Sequence, residues 1–441
     1  MAGGGDRRLA VESTEQGHAR RIDLLRKGRP MTAVSDHAAD RKLTAEEIED
    51  LRQRVKAFMD SDIYPNEAFF HEHHARQSKE GQAKVKELQA KTKAMGMWAP
   101  HLPAEAGGMG IGFMPYVYMN EILGRSGVAP IAFGSQAPDS GNAEILFQFG
   151  TPELQEKYMK PLVNGDIWSC FSMTEPEVSG ADPTGLRTTA IRDGDEWVIN
   201  GHKWFTSQGE GAAFAIVMCA TELDQPPHRR MSQIVVPTDT PGFEIVRPVP
   251  VMGETEGSHC EVRYTDVRVP ITNVLGEAGG GFRIAQRRLG PGRIHHCMRW
   301  LGQMQRAFEI MCNYALEREV YGSPLAEKQT VQNWVADSYV EIQAARALTL
   351  RAAEKIDTGD EARVEISAIK FFGAKVLHDV IDRAIQVHGA RGVSGDTPLE
   401  GMYRNARAAR IYDGPDETHR MVVSRRILQS FKAGLGWDFG V

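Results

Sequence analysis

One carboxylate, that of Asp413, stands in a glycine-bearing turn where it could act on a substrate. The turn occupies residues 411–417 (IYDGPDE), and a short helical segment separates it from a second such turn at 386–392 (QVHGARG). A carboxylate can serve as a general base when it is held within reach of the proton that it removes. A lone carboxylate on a turn is more often a helix cap, so other segments must support this assignment.

Three further segments carry groups suited to a flat polar ring and a diphosphate. Residues 171–182 (FSMTEPEVSGAD) predict a strand and then a loop of small residues, which permits hydrogen bonding and close backbone approach. Residues 201–207 (GHKWFTS) place two aromatic side chains beside two hydroxyls. Residues 290–293 (GPGR) precede Arg318, and arginine is well suited to paired phosphate contacts. Each segment alone also fits an ordinary turn, a half-buried strand or a solvated helix face.

Three other apparent motifs fail on their spacing or context. The glycines of residues 107–112 do not fit G-x-G-x-x-G and follow no predicted strand, so they predict a tight turn. Residues 71–74 (HEHH) lack the second zincin histidine, because Ala75 stands there, and predict a solvated helix surface. Ser367 and Lys370 match S-x-x-K without its companion motifs, inside a predicted helix. No metal site is predicted.

The composition is that of an ordinary globular protein. The chain has 441 residues, of which 41% are apolar and 25% charged, so two or three packed units are expected. A net charge of −6 argues against a broad basic surface for nucleic acid. The odd cysteine count of five favours a reducing compartment. With no apolar run of membrane-spanning length and no secretory signal, we expect a cytoplasmic location, or a mitochondrial or peroxisomal one in a eukaryote.

The periodicity of apolar residues divides the chain into four parts. Residues 1–40 are polar and unpatterned and predict a flexible tail. Residues 41–165 predict a helical domain, residues 166–280 a small antiparallel β domain, and residues 281–441 a helical bundle domain. The fold class expected from this order is α+β, mainly α.

Local signals place individual elements within these parts. A capping pattern predicts helix starts at Thr44 and at Thr151. A hairpin is predicted around Gly194, with later strands at 214–220, 233–237, 243–246 and 260–269. In the last part, one apolar helical stripe is formed by Val331, Val335, Tyr339, Ile342, Ala345 and Leu348.

With its four segments in this order, the chain from about residue 41 to 435 resembles the acyl-CoA dehydrogenase family. The matching motifs are TEP, GHKWFTS, ERxxYG, QVHGxxG and IYDGPDE. Together with RLGPGRIHHCMR, the last is especially similar to the dehydrogenase domain of the tenth and eleventh family members. The resemblance implies a C-terminal four-helix bundle and non-covalently bound FAD.

The resemblance also implies roles for individual residues. Asp413 matches the catalytic carboxylate, although the family commonly has Glu there. Substrate-side positions are Ala181, Gly290, Pro291, Gly292, Arg293 and Gly414. Ala181 and Gly290 depart from the Ser and Asp that many relatives carry. The positions that match cofactor-binding groups are Phe171, Met173, Thr174, Ser179, Gly180, Phe205, Thr206, Ser207, Arg318, Gln329, Gln386, Gly389, Pro415, Asp416 and Glu417.

The reaction that the resemblance implies is dehydrogenation of a fatty acyl-CoA thioester to the trans-2-enoyl-CoA, on a medium, long or substituted chain. Asp413 would take the α-proton, and the β-hydride would leave to flavin N5. Bound substrate would desolvate the carboxylate and is expected to raise its pKa. An electron-transfer flavoprotein is the expected electron acceptor. A homodimer or homotetramer is expected, with part of the FAD site contributed by a second subunit.

Two alternative functions stay open at this point. Nitroalkane oxidases resemble the same family and also use an aspartate base, but their substrate carries no CoA. A DNA-binding scaffold, with or without flavin, would need a basic surface, which the net charge of −6 disfavours.

Overall fold

The computed structural model describes residues 42–252 and 258–439. The predicted tail, residues 1–40, lies outside the described residues. Helices come first, a sheet follows, and long helices complete the chain, which is 56% helical. This order confirms the predicted fold class.

The N-terminal part is a packed group of mostly short helices. The first, α1 (Ala45–Phe58), begins at Thr44, whose hydroxyl accepts a hydrogen bond from Glu47 N–H while the Glu47 carboxylate accepts one from Thr44 N–H. This reciprocal cap confirms the predicted helix start. The other helices are α2 (Glu67–Glu72), α3 (Lys79–Ala94), α4 (Phe113–Leu123), α5 (Ala129–Ala132), α6 (Asp139–Phe149), α7 (Pro152–Leu154), which begins after the predicted cap Thr151, and α8 (Lys160–Val163).

A seven-stranded sheet follows, in the order β1-β4-β2-β3-β7-β6, with β5 paired to β4. The predicted hairpin is present: Asp193 pairs with Glu196, which leaves Gly194, at φ 61°, in a two-residue loop. The strands are β1 (Ser169–Ser172), β2 (Thr189–Asp193), β3 (Glu196–Ser207), β4 (Phe214–Ala220), β5 (Met231–Pro237), β6 (Phe243–Pro248) and β7 (His259–Pro270).

The sheet is mainly antiparallel, as predicted, but β1 runs parallel to β4. The sequence did not predict this pairing, because nothing local in a sequence specifies a parallel partner. At its other edge β1 meets the end of β3, with Phe171 opposite Ser207. An irregularity between Lys203 and Thr206 interrupts the pairing of β3 with β7. This end of the sheet therefore gathers two of the segments that the sequence singled out.

Long helices form the C-terminal part. The longest, α9 (Gly281–Glu317), has 37 residues and contains Pro291, so it is about 55 Å long. A short hairpin follows it, in which two strands of two residues each, β8 (Glu319–Val320) and β9 (Ser323–Pro324), pair antiparallel. The remaining helices are α10 (Gln329–Asp357), α11 (Arg363–His388), α12 (Leu399–Ala409) and α13 (Asp416–Lys432).

The predicted apolar stripe lies on α10, but only part of it is buried. Val331, Ile342 and Ala345 are in the bundle core, whereas Tyr339 and Leu348 are 57% and 41% exposed. The predicted apolar stripe is therefore covered at some of its positions and exposed at these two. Helical spacing places residues on one side of a helix, but it does not say how wide a stripe the neighbours cover.

Two glycines fix α9 against the N-terminal helices. A Cβ on Gly302 would lie 2.1 Å from the Glu121 carbonyl oxygen, and one on Gly124 would lie 2.2 Å from Arg299 Cα. No real side chain fits at such distances, so the two backbones can approach only because both residues are glycine. This contact fixes the helix that carries residues 290–293 against α4.

Two of the motifs rejected from the sequence lie on a turn and on a short helix. Gly107 has φ 86° and ends a single helical turn, as predicted. His71 lies at the end of the short helix α2. Within residues 42–252 and 258–439, no group of three or more His, Cys, Asp and Glu side chains could hold a metal ion. In the same residues, no helix is both long and apolar enough to cross a membrane.

Candidate active site

Asp413 lies in the turn that joins α12 to α13, in a left-handed conformation with φ 54°. Arg293 Nε donates to its carbonyl oxygen at 2.9 Å, and His419 Nε2 lies 3.2 Å from the same oxygen. Because a carbonyl can only accept, His419 Nε2 must carry a proton. Burial lowers the pKa of His419 to about 4, with Arg293 as a further cause, so the ring is neutral. Such strained backbone persists only where its surroundings hold it.

Gly414 is required at the next position. It has φ +104°, and a Cβ there would lie 2.8 Å from His419 Nε2. A side chain would therefore meet both backbone strain and a clash with the ring that holds the turn.

Lys370 lies beneath the same turn. Its buried Nζ donates to the carbonyl oxygens of Ala409 at 2.6 Å and Gly414 at 3.3 Å. The ammonium group also lies 5.3 Å and 5.2 Å from the ring centroids of Trp300 and Tyr412, within the range of cation–π attraction. The S-x-x-K lysine thus supports the turn that carries Asp413.

The carboxylate of Asp413 is surrounded by groups that stabilise its charged form. Its side chain is 23% exposed, and His296 Nε2 lies 3.3 Å from its Oδ2. Burial by itself would raise the pKa of Asp413, but His296, Arg293 and Arg288 together hold that pKa well below its usual range. The carboxyl group is therefore ionised. The sequence predicted a raised pKa for Asp413 in the substrate complex. In the chain alone the pKa of Asp413 is lowered, because α9 places His296, Arg293 and Arg288 near the carboxylate.

The two segments predicted to edge a flat ring lie side by side at the end of the sheet. The buried hydroxyls of Ser172 and Thr206 are 3.0 Å apart, and Trp204 N–H donates to the Thr174 carbonyl. Phe205 has φ 49° and is 40% exposed. The other interpretation of residues 201–207 was a half-buried strand, with one aromatic side chain buried and the other exposed. Phe205 is the exposed one. Trp204 is only partly covered, but its Nε1 is buried and has no hydrogen-bond partner in the described part of the chain.

A buried ion pair locks these two segments together. Lys203 Nζ lies 2.8 Å from Glu175 Oε1, and the two side chains are 0% and 2% exposed. Glu175 also accepts hydrogen bonds from the backbone N–H groups of Arg187 and Thr188, while Lys203 donates to the Met173 carbonyl. Burial acts against the charge, but Lys203 and these donors lower the pKa of Glu175 and keep it ionised. The TEP and GHKWFTS motifs are therefore joined at their charged residues.

Arg288 links the sheet to Asp413. Its guanidinium lies 4.1 Å from the centroid of the Phe171 ring, and it is one of the groups that lower the pKa of Asp413. Met173 and Thr174 follow the end of β1 and are partly buried. The next segment, with Ser179, Gly180 and Ala181, is an exposed loop. The structure thus brings the flavin-side segments and Asp413 to one region.

Four of the predicted cofactor residues lie elsewhere. Arg318, at the C-terminal end of α9, is exposed, as are Gln329, Gln386 and Gly389. These four lie at one end of the bundle, where the Tyr314 ring of α9 stacks on His388 of α11 at 4.1 Å. At 1.5 Å per residue, Arg318 lies about 38 Å along the helix from Arg293. One chain therefore does not bring the two groups of residues together.

The remaining predicted positions lie near the base. Pro415 precedes α13, Glu417 is exposed, and Asp416 is 1% exposed and accepts a hydrogen bond from Arg410 Nε at 2.7 Å. Gly290, Pro291 and Gly292 lie within α9. Neither glycine has a heavy atom within 4 Å of the place where its Cβ would be. This stretch of α9 therefore borders open space.

A cavity of about 670 Å³ lies elsewhere, between α1, α4, α9 and α10. Its walls are charged, but Arg346 pairs with Glu121 at 2.9 Å and Arg125 pairs with Glu309. These charges satisfy one another, and none of the predicted site residues lines the cavity. It is not the candidate active site.

Comparison with known proteins agrees with this arrangement. Models of the acyl-CoA dehydrogenase N-terminal, middle and C-terminal domains match residues 45–166, 170–267 and 279–428. The chain belongs to the acyl-CoA dehydrogenase family. The match confirms the predicted family, and members are FAD-dependent oxidoreductases.

Individual relatives cover most of this chain. It is 45% identical over 396 residues to the probable acyl-CoA dehydrogenase FadE2 of Mycobacterium tuberculosis, covering 87% of this chain and 96% of that one. It is 41% identical over 390 residues to rat acyl-CoA dehydrogenase family member 11, covering 85% of this chain but only 50% of the rat protein. A solved structure from Mycobacterium abscessus, assigned to the acyl-CoA dehydrogenases, has 38% identity and a TM-score of 0.83, covering 88% of this chain and 99% of that one.

Sequence reasoning missed several residues that build this acyl-CoA dehydrogenase site. Arg288, Lys370, Glu175 and Lys203 received no role, although all four lie within quoted motifs. His296 lies in the stretch RIHHCMR, which served only as a marker of similarity. Its proximity to Asp413 could not be predicted, because the two residues lie on separate elements that only the folded bundle brings together.

Proposed function

We propose that this chain dehydrogenates a fatty acyl-CoA thioester to the trans-2-enoyl-CoA, with Asp413 as the base that removes the α-proton. The observation that carries the proposal is the turn at Asp413. Its carboxylate is ionised, partly exposed and held at a fixed place by backbone contacts to Arg293 and His419. Substrate binding would exclude water from this carboxylate and strengthen it as a base.

The backbone at Asp413 supplies a second group for the reaction. Among the hydrogen bonds of the described residues, none uses the Asp413 N–H as a donor. An N–H next to the base could donate to the thioester carbonyl and stabilise the enolate that develops as the α-proton leaves. Without such stabilisation a thioester α-proton is too weakly acidic for a carboxylate.

The residues at the end of the sheet fit a flavin. The unpartnered Trp204 Nε1, the exposed Phe205 ring and the loop at 179–181 would face it, while Phe171, Thr206 and Ser207 lie beside them. When held by these residues, FAD would supply the hydride acceptor that the dehydrogenation requires. Arg318, Gln329, Gln386 and Gly389 would contact the diphosphate and adenosine of FAD bound to a second copy of this chain, since they lie far from Asp413 within one copy. The proposed assembly is a homodimer or homotetramer.

The substrate proposed is an acyl-CoA with a medium, long or substituted chain, and the proposed electron acceptor is an electron-transfer flavoprotein. The open space beside Gly290 and Gly292 supports a substrate passage along α9. Asp413 is one methylene shorter than glutamate, which leaves additional room at the α-carbon.

A panel of substrates tests this proposal. The purified protein should be yellow and should reduce an artificial electron acceptor with straight-chain acyl-CoAs of increasing length and with branched ones, releasing enoyl-CoA. Nitroethane serves as the comparison substrate, because a nitroalkane oxidase would consume it and its reduced flavin would react rapidly with oxygen. Turnover of nitroethane but of no acyl-CoA would overturn the proposal. A sharp optimum at a four-carbon chain would overturn only the chain-length part.

A further inference from the structure

His296 lies next to the base and has no role so far. Its Nε2 is 3.3 Å from Asp413 Oδ2, and the two side chains are 24% and 23% exposed. The imidazole comes from α9 and the carboxylate from the turn after α12. A contact between two separate elements at the reacting group can orient that group, because a carboxylate on a turn is otherwise free to rotate.

The ring of His296 is itself held in place. Its centroid lies 5.0 Å from that of Tyr412 and 6.3 Å from that of Trp300, with the Trp300 plane tilted by 27°. Trp300 Nε1 donates to the Tyr412 hydroxyl at 2.8 Å, which joins the two rings into one wall. Lys370 Nζ also lies over both rings, 5.3 Å from the centroid of Trp300 and 5.2 Å from that of Tyr412. The position of Nε2 is therefore set by packing.

We propose that His296 is the positioning residue for the base. Its Nε2–H hydrogen-bonds Oδ2 of Asp413, fixes the carboxylate plane, and leaves Oδ1 as the oxygen that takes the α-proton. The step itself is unchanged: the α-carbon–hydrogen bond breaks, the proton goes to Asp413, and the electron pair stays on the substrate. This inference rests on the proposed function, because it assigns a partner to the proposed base.

The other polar groups near the pair make their direct contacts with different atoms. Arg293 and His419 contact the Asp413 carbonyl, and Lys370 contacts carbonyls of the same turn. Arg288 lies against Phe171. Of the groups near the pair, only His296 has a recorded side-chain contact with the carboxylate in the described structure. The titratable groups facing the pair from all sides are Arg288, Arg293, His295 and Cys297 of α9, Lys370 of α11, Tyr412 of the turn, and Asp416 and His419 of α13.

The test compares three substitutions of His296. Gln can place an amide N–H where Nε2 lies, Asn carries its amide one carbon too short, and Leu has no donor. We expect His296→Leu and His296→Asn to lower kcat about tenfold or more with KM changed less than threefold, because only the reacting geometry is lost. His296→Gln should recover kcat to within about threefold of the wild type. If the His296→Leu variant does not fold, the difference in kcat between His296→Gln and His296→Asn answers the same question.

A pH profile separates positioning from a merely structural role. Loss of a charge-assisted hydrogen bond raises the pKa of the carboxyl that accepted it, so the acid limb of kcat should move to higher pH by about one unit in the Leu and Asn variants. Exchange of the substrate α-proton in D2O, followed by NMR, measures proton removal without hydride transfer and should fall with kcat.

The chain offers a matched control. His378 lies 3.9 Å from Asp379, with side chains 25% and 26% exposed, on the bundle helix α11. His378→Leu should leave the flavin content, kcat and the pH profile unchanged.

The outcomes distinguish the two proposals. If the wild type catalyses no α-proton exchange, the proposed function fails. If the wild type exchanges the proton and His296→Leu keeps kcat within twofold with the acid limb unmoved, only the role of His296 fails. Equal losses in the Gln, Asn and Leu variants, without a shift of the acid limb, would also overturn it, since they would indicate packing alone.

Discussion

The two ends of α9 differ in how much of a site a single chain builds around them. Near the N-terminal end, Arg288, Arg293 and His296 meet the sheet and the Asp413 turn through contacts of defined length. At the C-terminal end, Arg318 is exposed beside a two-residue hairpin whose Tyr321 is 98% exposed. Gln329 and Gly389, which with Arg318 match cofactor-binding positions of the family, are also exposed.

This difference indicates which functions need assembly. The Asp413 turn and its neighbours on α9 are oriented by contacts within one chain, so their geometry does not depend on a partner. An exposed arginine loses little by lacking a partner, because water solvates it. If the far end binds FAD held by a second copy, cofactor affinity and assembly are linked, since the ligand binds only the assembled state. Three substitutions test this contrast.

The largest expected effect is at the base. Asp413→Asn removes the proton acceptor while keeping the size of the side chain, so kcat should fall by about 10²- to 10⁴-fold with FAD content and assembly unchanged. Steady-state kinetics measures kcat, and flavin absorbance measures the FAD content. Asp379→Asn, at a side chain of similar exposure, is the control and should be active. Activity of Asp413→Asn within tenfold of the wild type would exclude this residue as the base.

The next effect concerns the stability of the sheet end near Asp413. Lys203→Met leaves Glu175 buried and unpaired, so the free energy of unfolding should fall by about 3–5 kcal/mol. The double substitution Glu175→Gln with Lys203→Met removes both charges and should cost less than the single one. Chemical denaturation followed by circular dichroism measures the difference. A single variant as stable as the wild type would show that this pair does not hold the two flavin-side segments together.

The smallest effect is expected at the far end of α9. Arg318→Ala should weaken FAD binding about 10- to 150-fold, the range for loss of one charge-assisted hydrogen bond, and the oligomer should dissociate more readily on dilution. Light scattering and flavin absorbance across a dilution series measure both, and added FAD should restore the assembly. Arg363→Ala, another exposed arginine of the bundle, is the control. A variant of Arg318 that stays yellow and equally associated at nanomolar concentration would falsify this role.

The sequence by itself determined the order of the elements. Local signals suffice for these: the Thr44 cap, the Gly194 hairpin and the period-two strands each depend on residues close together in the chain. The proposal of Asp413 as the base came from the resemblance of motifs that lie in order along the chain, and Asp413 lies in a turn as expected.

Only the tertiary structure decided what surrounds the base. His296 and Arg293 come to Asp413 because Gly124 and Gly302 fix α9 closely against α4, while the bundle brings the end of α12 beside α9. The pairing of β1 with β4 and the Glu175–Lys203 ion pair likewise bring together residues that are distant in sequence. The length of α9, in turn, keeps Arg318 away from Arg293. Periodicity identifies which face of a helix is apolar, but partners and pKa values depend on which surfaces meet, and that is a property of the packed chain.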